Sequence, residues 1–549
     1  MLRKTKCLLA VVLCLSPCFA QVKRGAASTV RPSLQEARAV RTFDIARQNP
    51  LQLHAFLARM PKGADLHMHL AGAIYAETFL ADARADLLCV HPQTLSFAKN
   101  IGTTRSLPPQ PVCAEGNVAA STAFEDQHLY NALVDSFSMR SFVPSAGVSG
   151  HDQFFATFAR FSGTSKSHLG EWLDEVATRA AAQNEQYLEI MQTPPFPNAA
   201  LLASQIEWPR TPPAAISLDT QETSGTSRTE LAELRDRLLA GGLREDVTTD
   251  RKDLAAALES RSAIEHCGQA AASAACSVQI RFLFQVLRSN QPQLVFAQTL
   301  LAFEVAAAEA ATPHPIVVGL NFVQPEDDFL AMAEYTRQMR MLDYLHTVYP
   351  QVHLSLHAGE LAPGLVPPAG LRFHIRQAVD LGHAERIGHG VDIMYEDDPK
   401  ALLKEMAERH VMVEINLTSN DVILGVSLNR HSLPAYRAAG VPTALSTDDE
   451  GVSRIDLTHE YARAATDFSL GYLDLKQMAR TSLEHSFLSG ASLWAAPDLF
   501  ARVNPACAGQ TLGSETPSAR CTEFLRANEK AAEQWQLEHR YSVFESSLP

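Results

Sequence analysis

Asp65-Leu66-His67-Met68-His69-Leu70 is a short run in which apolar and polar residues alternate. In an extended chain, residues two apart point the same way, so His67 and His69 present two imidazoles together. That is what a divalent transition metal takes from a strand. His-X-His by itself serves packing as often as ligation, so the reading depends on its surroundings. Further along the chain, seven more short apolar runs each precede a stretch of helical spacing. With 64–70, the set is 187–192, 278–287, 316–323, 353–357, 386–391, 411–417 and 442–446. Strands that alternate with helices imply a parallel sheet, and eight such units predict an α/β fold of the (β/α)8 TIM-barrel type.

Three more motifs stand at the ends of these runs. In His353-Leu354-Ser355-Leu356-His357-Ala358-Gly359-Glu360, His353 and His357 share one face and Leu354 and Leu356 the other. Gly359 allows a tight turn that folds Glu360 back over the strand end, where a carboxylic acid can exchange protons with a bound molecule. A Glu opening a helix would read the same way. In Arg386-Ile387-Gly388-His389-Gly390, a histidine between two glycines is expected to have an open approach and little packing around it, which suits proton transfer. In Ser446-Thr447-Asp448-Asp449-Glu450, three consecutive acids follow an apolar strand, which is costly unless they meet positive charge or water. A metal would supply that charge; a solvated turn with Asp as a helix cap is the plainer alternative. All four motifs fall at C-terminal strand ends, which in a (β/α)8 barrel converge on one mouth. The combined set offers three histidines and one aspartate to a metal and leaves a position for water, whose pKa a zinc ion lowers to about 7.

The chain has 549 residues, 46% hydrophobic and 20% charged, which excludes a mainly disordered or fibrous protein. The formal net charge of -14 argues against a nucleic-acid partner, which must be met with Lys and Arg. Arg3, Lys4 and Lys6 precede an apolar run from Cys7 to Leu15, too short to span a bilayer, and Ala20 offers a cleavage point. Residues 1–20 therefore read as a signal peptide, and the protein as exported, periplasmic or secreted, with no membrane attachment after cleavage. Cleavage would take the net charge from -14 to -17. The remaining cysteines form three sequence-close pairs, expected as the disulfides Cys89–Cys113, Cys267–Cys276 and Cys507–Cys521. Residues 21–60 read as an N-terminal helical extension, 61–497 as the barrel with insertions near 96–121 and 194–250, and 498–549 as a C-terminal extension of the same domain. Helical spacing runs over 37–60 and 523–539.

The four motifs, in this order, resemble those of the adenosine deaminase family within the metal-dependent amidohydrolase superfamily, over roughly 60–461. The export signal and Met60-Pro61-Lys62-Gly63 are most similar to the secreted adenosine deaminase-related growth factors and their bacterial periplasmic relatives. The resemblance implies zinc-dependent hydrolytic deamination of adenosine or a related 6-aminopurine nucleoside. It implies one zinc per chain, held by His67, His69, His357 and Asp448. Glu360 would protonate purine N1, His389 would orient or deprotonate the attacking water, and Asp449 would hold the attacking oxygen and contact N7. Gly72, Asn321, Ser419, Asn420 and His431 are expected to bind substrate, and a homodimer is expected from the secreted relatives. One departure stands out. The compact enzymes place a ribose-contacting Asp directly after the His-X-His-Leu run, where this chain has Ala71. The alternatives are an amidohydrolase acting on another C–N bond and a non-catalytic growth-factor-like binding protein. A binuclear centre would add a Lys on the fourth strand, and 316–323 has none.

Overall fold

The structure is a computed structural model that describes residues 33–164, 166–208 and 227–549. The expected signal peptide and part of the 194–250 insertion lie outside the described residues. Eight parallel strands form one sheet in chain order: β1 (Gly63–His69), β2 (Glu185–Gln192), β3 (Gln279–Leu287), β4 (Val317–Val323), β5 (His353–Ala358), β6 (Arg386–His389), β7 (Met412–Ile415) and β8 (Thr443–Leu445). The sheet closes on itself just beyond β8. The Asp448 backbone N–H donates to His67 O at 2.8 Å, and His69 N–H donates to Asp448 O at 3.0 Å. Helices follow the strands and cover them, so most strand residues are buried on both faces, as a parallel sheet requires. The expected barrel and all eight strands are present.

The floor of the barrel is built around one buried guanidinium. Arg386, fully buried, lies 2.6 Å from both Glu189 and Glu414, and its plane stacks over Phe487 at 3.9 Å. A buried charge survives only when it is paired, and removing one member of such a set typically costs about 3–5 kcal/mol. The terminal extensions brace the same end. Tyr541, on the helix Glu529–Ser546, donates to Pro61 O at 2.8 Å, and Phe56, on the helix Pro50–Arg59, packs edge-on against Phe544 at 5.2 Å.

Several boundaries differ from the sequence reading, each for a local reason. The 37–60 stretch is two helices, Leu34–Ala46 and Pro50–Arg59. Pro50 has no N–H with which to continue a helix, and Asn49 caps the second one by accepting from Leu51 and Gln52. The C-terminal run is likewise split, into Ala519–Ala527 and Glu529–Ser546, at Asn528, whose side chain accepts from Ala491 N–H instead. The seventh run stops being a strand at Ile415, and Leu417–Leu424 is a helix. The first insertion, with the strand Cys89–His91 just before it, forms a small three-stranded antiparallel sheet (Cys89–His91, Ser96–Ala98, Val118–Ala119) and a two-stranded hairpin. No helix among the described residues is long and apolar enough to cross a membrane.

The three disulfides pair as expected: Cys89–Cys113, Cys267–Cys276 and Cys507–Cys521. The first closes the longest loop, across 24 residues, and ties the small sheet to the hairpin. Replacing both Cys89 and Cys113 by Ala is expected to cost about 2–4 kcal/mol, read as a fall in thermal midpoint of the oxidised protein. An unchanged midpoint would mean that the insertion is held by its strand pairing alone.

Candidate active site and metal centre

The mouth of the barrel gathers the four strand-end motifs. His67 and His69 leave β1 on either side of Asp448, whose backbone closes the sheet and whose carboxylate turns inward. Asp448 Oδ1 lies 3.3 Å from His67 Nε2 and 3.2 Å from His69 Nε2, and His69 Nε2 lies 3.3 Å from His357 Nε2. Asp448 can reach this position because it adopts φ +62, a left-handed conformation that costs a non-glycine residue about 1–3 kcal/mol.

Each of the three imidazoles has its other ring nitrogen engaged from behind. His67 Nδ1 meets Glu414 Oε2 at 2.6 Å, His357 Nδ1 meets Asn321 Oδ1 at 2.8 Å, and His69 Nδ1 pairs with the Gln285 amide. The three Nε2 atoms are therefore the ones turned to the common centre. This is the arrangement by which proteins orient metal-binding histidines. His67 Nε2 is buried and has no hydrogen-bond partner, an orphaned donor atom in the middle of the cluster. Three imidazoles and a carboxylate fit a divalent transition metal with a further position open. His389 is a fourth imidazole at the same centre, its Nε2 3.9 Å from Asp448 Oδ2. The donor atoms of His67, His357, His389 and Asp448 all lie within 4.8 Å of one another, and those of His69, Asp448 and Asp449 form a second such group, so the buried cluster pairs the expected ligands with His389.

The support behind His67 continues to the barrel floor. Glu414 accepts from Ser355 Oγ at 2.9 Å and from Arg386 Nε at 2.6 Å. Despite burial, Arg386 and His67 hold the Glu414 carboxyl down at about 2, so it stays ionised. Burial alone would lower the His67 pKa, but the Asp448 and Glu414 carboxylates beside it raise it to about 10. A metal must therefore displace a proton from His67.

The acid groups of the site sit in the opposite condition. Glu360 is buried, and desolvation first, then the Asp448 and Glu326 charges, push its pKa well above the carboxylate range. Its burial thus favours the protonated form, and it lies 3.6 Å from His389 Nδ1. Gly359 supplies the turn at φ +76; a Cβ there would stand 2.5 Å from Asp392 Oδ1. Glu326 fixes the turn by accepting from both Gly359 N–H at 3.1 Å and Glu360 N–H at 2.8 Å, while His374 Nδ1 holds Glu326 at 2.5 Å. Asp449 is also buried with its pKa pushed well up, chiefly by desolvation and then by Asp448, and its Oδ1 has no partner. Gly72 lies against that oxygen so closely that a Cβ would overlap it at 1.5 Å.

The remaining candidate residues are near the centre, mostly one layer back. Asn321 is fully buried, accepting from the His357 backbone N–H at 3.0 Å as well as facing its ring. Ser419 Oγ donates to Asp448 Oδ2 at 2.6 Å. Asn420 and His431 are buried behind His389. His389 itself is fully buried, with His67 and His357 rings at 5.0 and 5.1 Å, so the open approach expected from its flanking glycines is absent. His353 shares a face with His357 but stands at the opposite end of the strand, stacked on Phe487 on the barrel floor. Glu414, Gln285 and Glu326 went unassigned in the sequence reading. Glu414 carries a usable signal, a lone charge inside the apolar run Met412-Val413-Glu414-Ile415.

Two outcomes are expected. Glu414→Gln should weaken divalent-metal affinity about 10- to 100-fold, measured by competition with a chromogenic chelator, because it removes the charge that orients His67. Metal addition to metal-free protein should release protons near neutral pH, since His67 holds one up to about 10, and affinity should fall as pH is lowered. Proton release is read by calorimetry in buffers of different ionisation enthalpy; none would mean that His67 is not a ligand.

Comparison with known proteins gives a match over the second half of the barrel. Residues 253–493 match the family model described as adenosine deaminase. The adenosine deaminase of Escherichia coli (strain SE11) is 37% identical over 138 residues, spanning 25% of this chain and 38% of that protein's length. Among solved structures, a zinc-bound amidohydrolase from Burkholderia ambifaria superposes with a TM-score of 0.48 at 16% identity, over 96% of this chain and 98% of that one. The N6-methyl-AMP deaminase from Arabidopsis thaliana gives 0.45 at 18% identity, over 79% and 94%. The matched span holds His357, Glu360, His389, Asp448 and Asp449, and closure of the barrel brings in His67 and His69 from outside it. Over residues 253–493 the chain is similar to the adenosine deaminase family, and it spans 38% of the length of the curated relative it matches.

Proposed function

We propose that the protein is a zinc-dependent hydrolase that deaminates a 6-aminopurine nucleoside, releasing ammonia and the 6-oxo purine. The observation that carries this reading is the pairing at one mouth of a His/Asp donor cluster with Glu360, a buried carboxyl whose desolvation favours the protonated form. Zinc held by His67, His69, His357 and Asp448 would supply Lewis-acid activation of water at neutral pH. Glu360 gives its proton to N1 of the purine, which leaves C6 electron-poor and open to the water oxygen. Asp449, with a buried oxygen that no protein group satisfies, is placed to hold the attacking water or the ring N7. His389 would orient that water. Addition at C6 followed by loss of the amino group as ammonia completes the exchange of nitrogen for oxygen. Burial of the whole cluster keeps bulk water from competing for these groups.

Ala71 stands where the family's ribose-contacting Asp would be, so the sugar is recognised differently and 5′-deoxy or thioether adenosines are natural substrates to test beside adenosine. No basic cluster stands among the motif residues, which disfavours a 5′-phosphate. Three disulfides among the described residues support an oxidising, extracytoplasmic location.

Purified protein loaded with zinc is expected to convert adenosine or one of these analogues to its 6-oxo product, seen as falling absorbance of the adenine ring. Glu360→Gln should abolish turnover while zinc stays bound stoichiometrically. The acid must carry its proton, so kcat/KM should hold through neutral pH and fall as pH rises through the raised Glu360 pKa. Full zinc loading with no turnover of any aminopurine nucleoside or base would refute the reaction.

A further inference from the structure

A second group of metal-type donors lies away from the mouth, between two helices that flank the first insertion. His168 Nδ1 stands 2.6 Å from Glu171 Oε2 and 3.6 Å from Asp82 Oδ1, and His168 Nε2 stands 3.1 Å from Asp86 Oδ1. Asp82 and Asp86 are one turn apart at the end of the helix Ala76–Ala85. His168 caps the helix Leu169–Ala182, and Glu171 lies in its first turn. Phe79 packs edge-on against Trp172 at 5.4 Å and holds the two helices together, so the donors sit on rigid elements.

The far side of two of these groups is already fixed. Trp172 Nε1–H donates to Asp82 Oδ2 at 2.7 Å, and Asp86 takes the Nε2 edge of His168. That leaves Asp82 Oδ1 and His168 Nδ1 turned toward Glu171. One donor atom from each of Asp82, His168 and Glu171 lies within 4.8 Å of the other two. Ligands about 2.0–2.2 Å from a divalent ion stand roughly 3–3.5 Å apart, so side-chain adjustment alone would seat one. Asp82 is 6% exposed, yet its Oδ1 accepts no hydrogen bond and is aimed at His168. Among the described residues, Asp82 and Glu171 meet no cation except His168. A carboxylate can only accept, so without a metal His168 must carry a proton on both nitrogens. A divalent ion would replace the Nδ1 proton and bring two positive charges where the proton brings one.

We propose that Asp82, His168 and Glu171 form a second metal site, for a divalent transition ion such as zinc, with Asp86 and Trp172 orienting His168 and Asp82 from behind. The Glu171 side chain is 58% exposed, so water can reach the ion and complete its coordination. The site stands where the chain leaves the barrel at Asp86 and returns at His168. Between them run the small sheet, the hairpin and the helices Gln127–Ser136 and Gly150–Arg160. That excursion reaches the mouth, where Met139 N–H donates to Val452 O at 2.8 Å and His151 Nε2 meets Asp327 at 2.9 Å. An ion at its base would close the whole excursion as a loop, and its binding free energy would add to folding stability.

The test uses full-length protein stripped with a chelator and titrated with zinc. His67→Ala/His357→Ala protein, which lacks two donors of the mouth, should still bind one zinc and gain thermal stability from it. Asp82→Asn in that background should abolish both. Glu171→Gln changes an exposed side chain and should weaken the remaining zinc at least about 10-fold. No zinc on the His67→Ala/His357→Ala protein overturns the proposal, as does zinc whose affinity Asp82→Asn and Glu171→Gln leave unchanged. Should the His67→Ala/His357→Ala protein fail to fold, the wild type decides: a zinc isotherm that Glu171→Gln does not alter overturns the proposal. Turnover is not read, so the outcome is independent of the deaminase reading.

Discussion

Asp448 joins the two levels of this structure. Its backbone pairs with His67 and His69 and closes the eight-stranded sheet, and its carboxylate reaches the ring nitrogens of those same histidines. Barrel closure and assembly of the site are therefore one event. If β1 and β8 separate, the histidines from the first strand and the donors from the fifth no longer share a centre. The left-handed backbone of Asp448 is tolerated because the first strand holds both its N–H and its carbonyl.

Below that closure, charge is arranged in a column. His67 rests on Glu414, Glu414 on Arg386 and Arg386 on Glu189, all fully buried. A column of alternating sign can survive in the dry interior because each member neutralises its neighbours. It also makes His67 the most basic of the cluster imidazoles, since two carboxylates face it. By contrast His357 has no carboxylate behind it, only Asn321, and desolvation with the neighbouring histidines keeps it neutral. A metal entering this cage meets one ligand that must lose a proton and another already free.

The fold was legible in the sequence because strand runs and strand-end polar residues follow simple periodicities. The alternation around His67 and the apolar runs before His357, His389 and Asp448 placed all four at strand ends, and the structure brings them within a few ångströms of each other. What escaped was the layer behind them. Gln285 and Glu326 are ordinary polar residues in sequence, and their roles depend on which strands become neighbours, a property of the closed barrel. The misjudged surroundings of His389 have the same origin. Flanking glycines remove local side chains, but Asn420 and two other histidines from distant strands fill the space.

The contact between Gly72 and Asp449 ties the evolutionary fates of two positions 377 residues apart. Any side chain at 72 collides with the carboxylate at 449, and moving that carboxylate alters the mouth. The two should vary together or not at all among relatives of this chain. The turn after the first strand is thus closed to gradual exploration on one side. Change at the mouth is less constrained at Ala71 and in loops that do not touch the second aspartate.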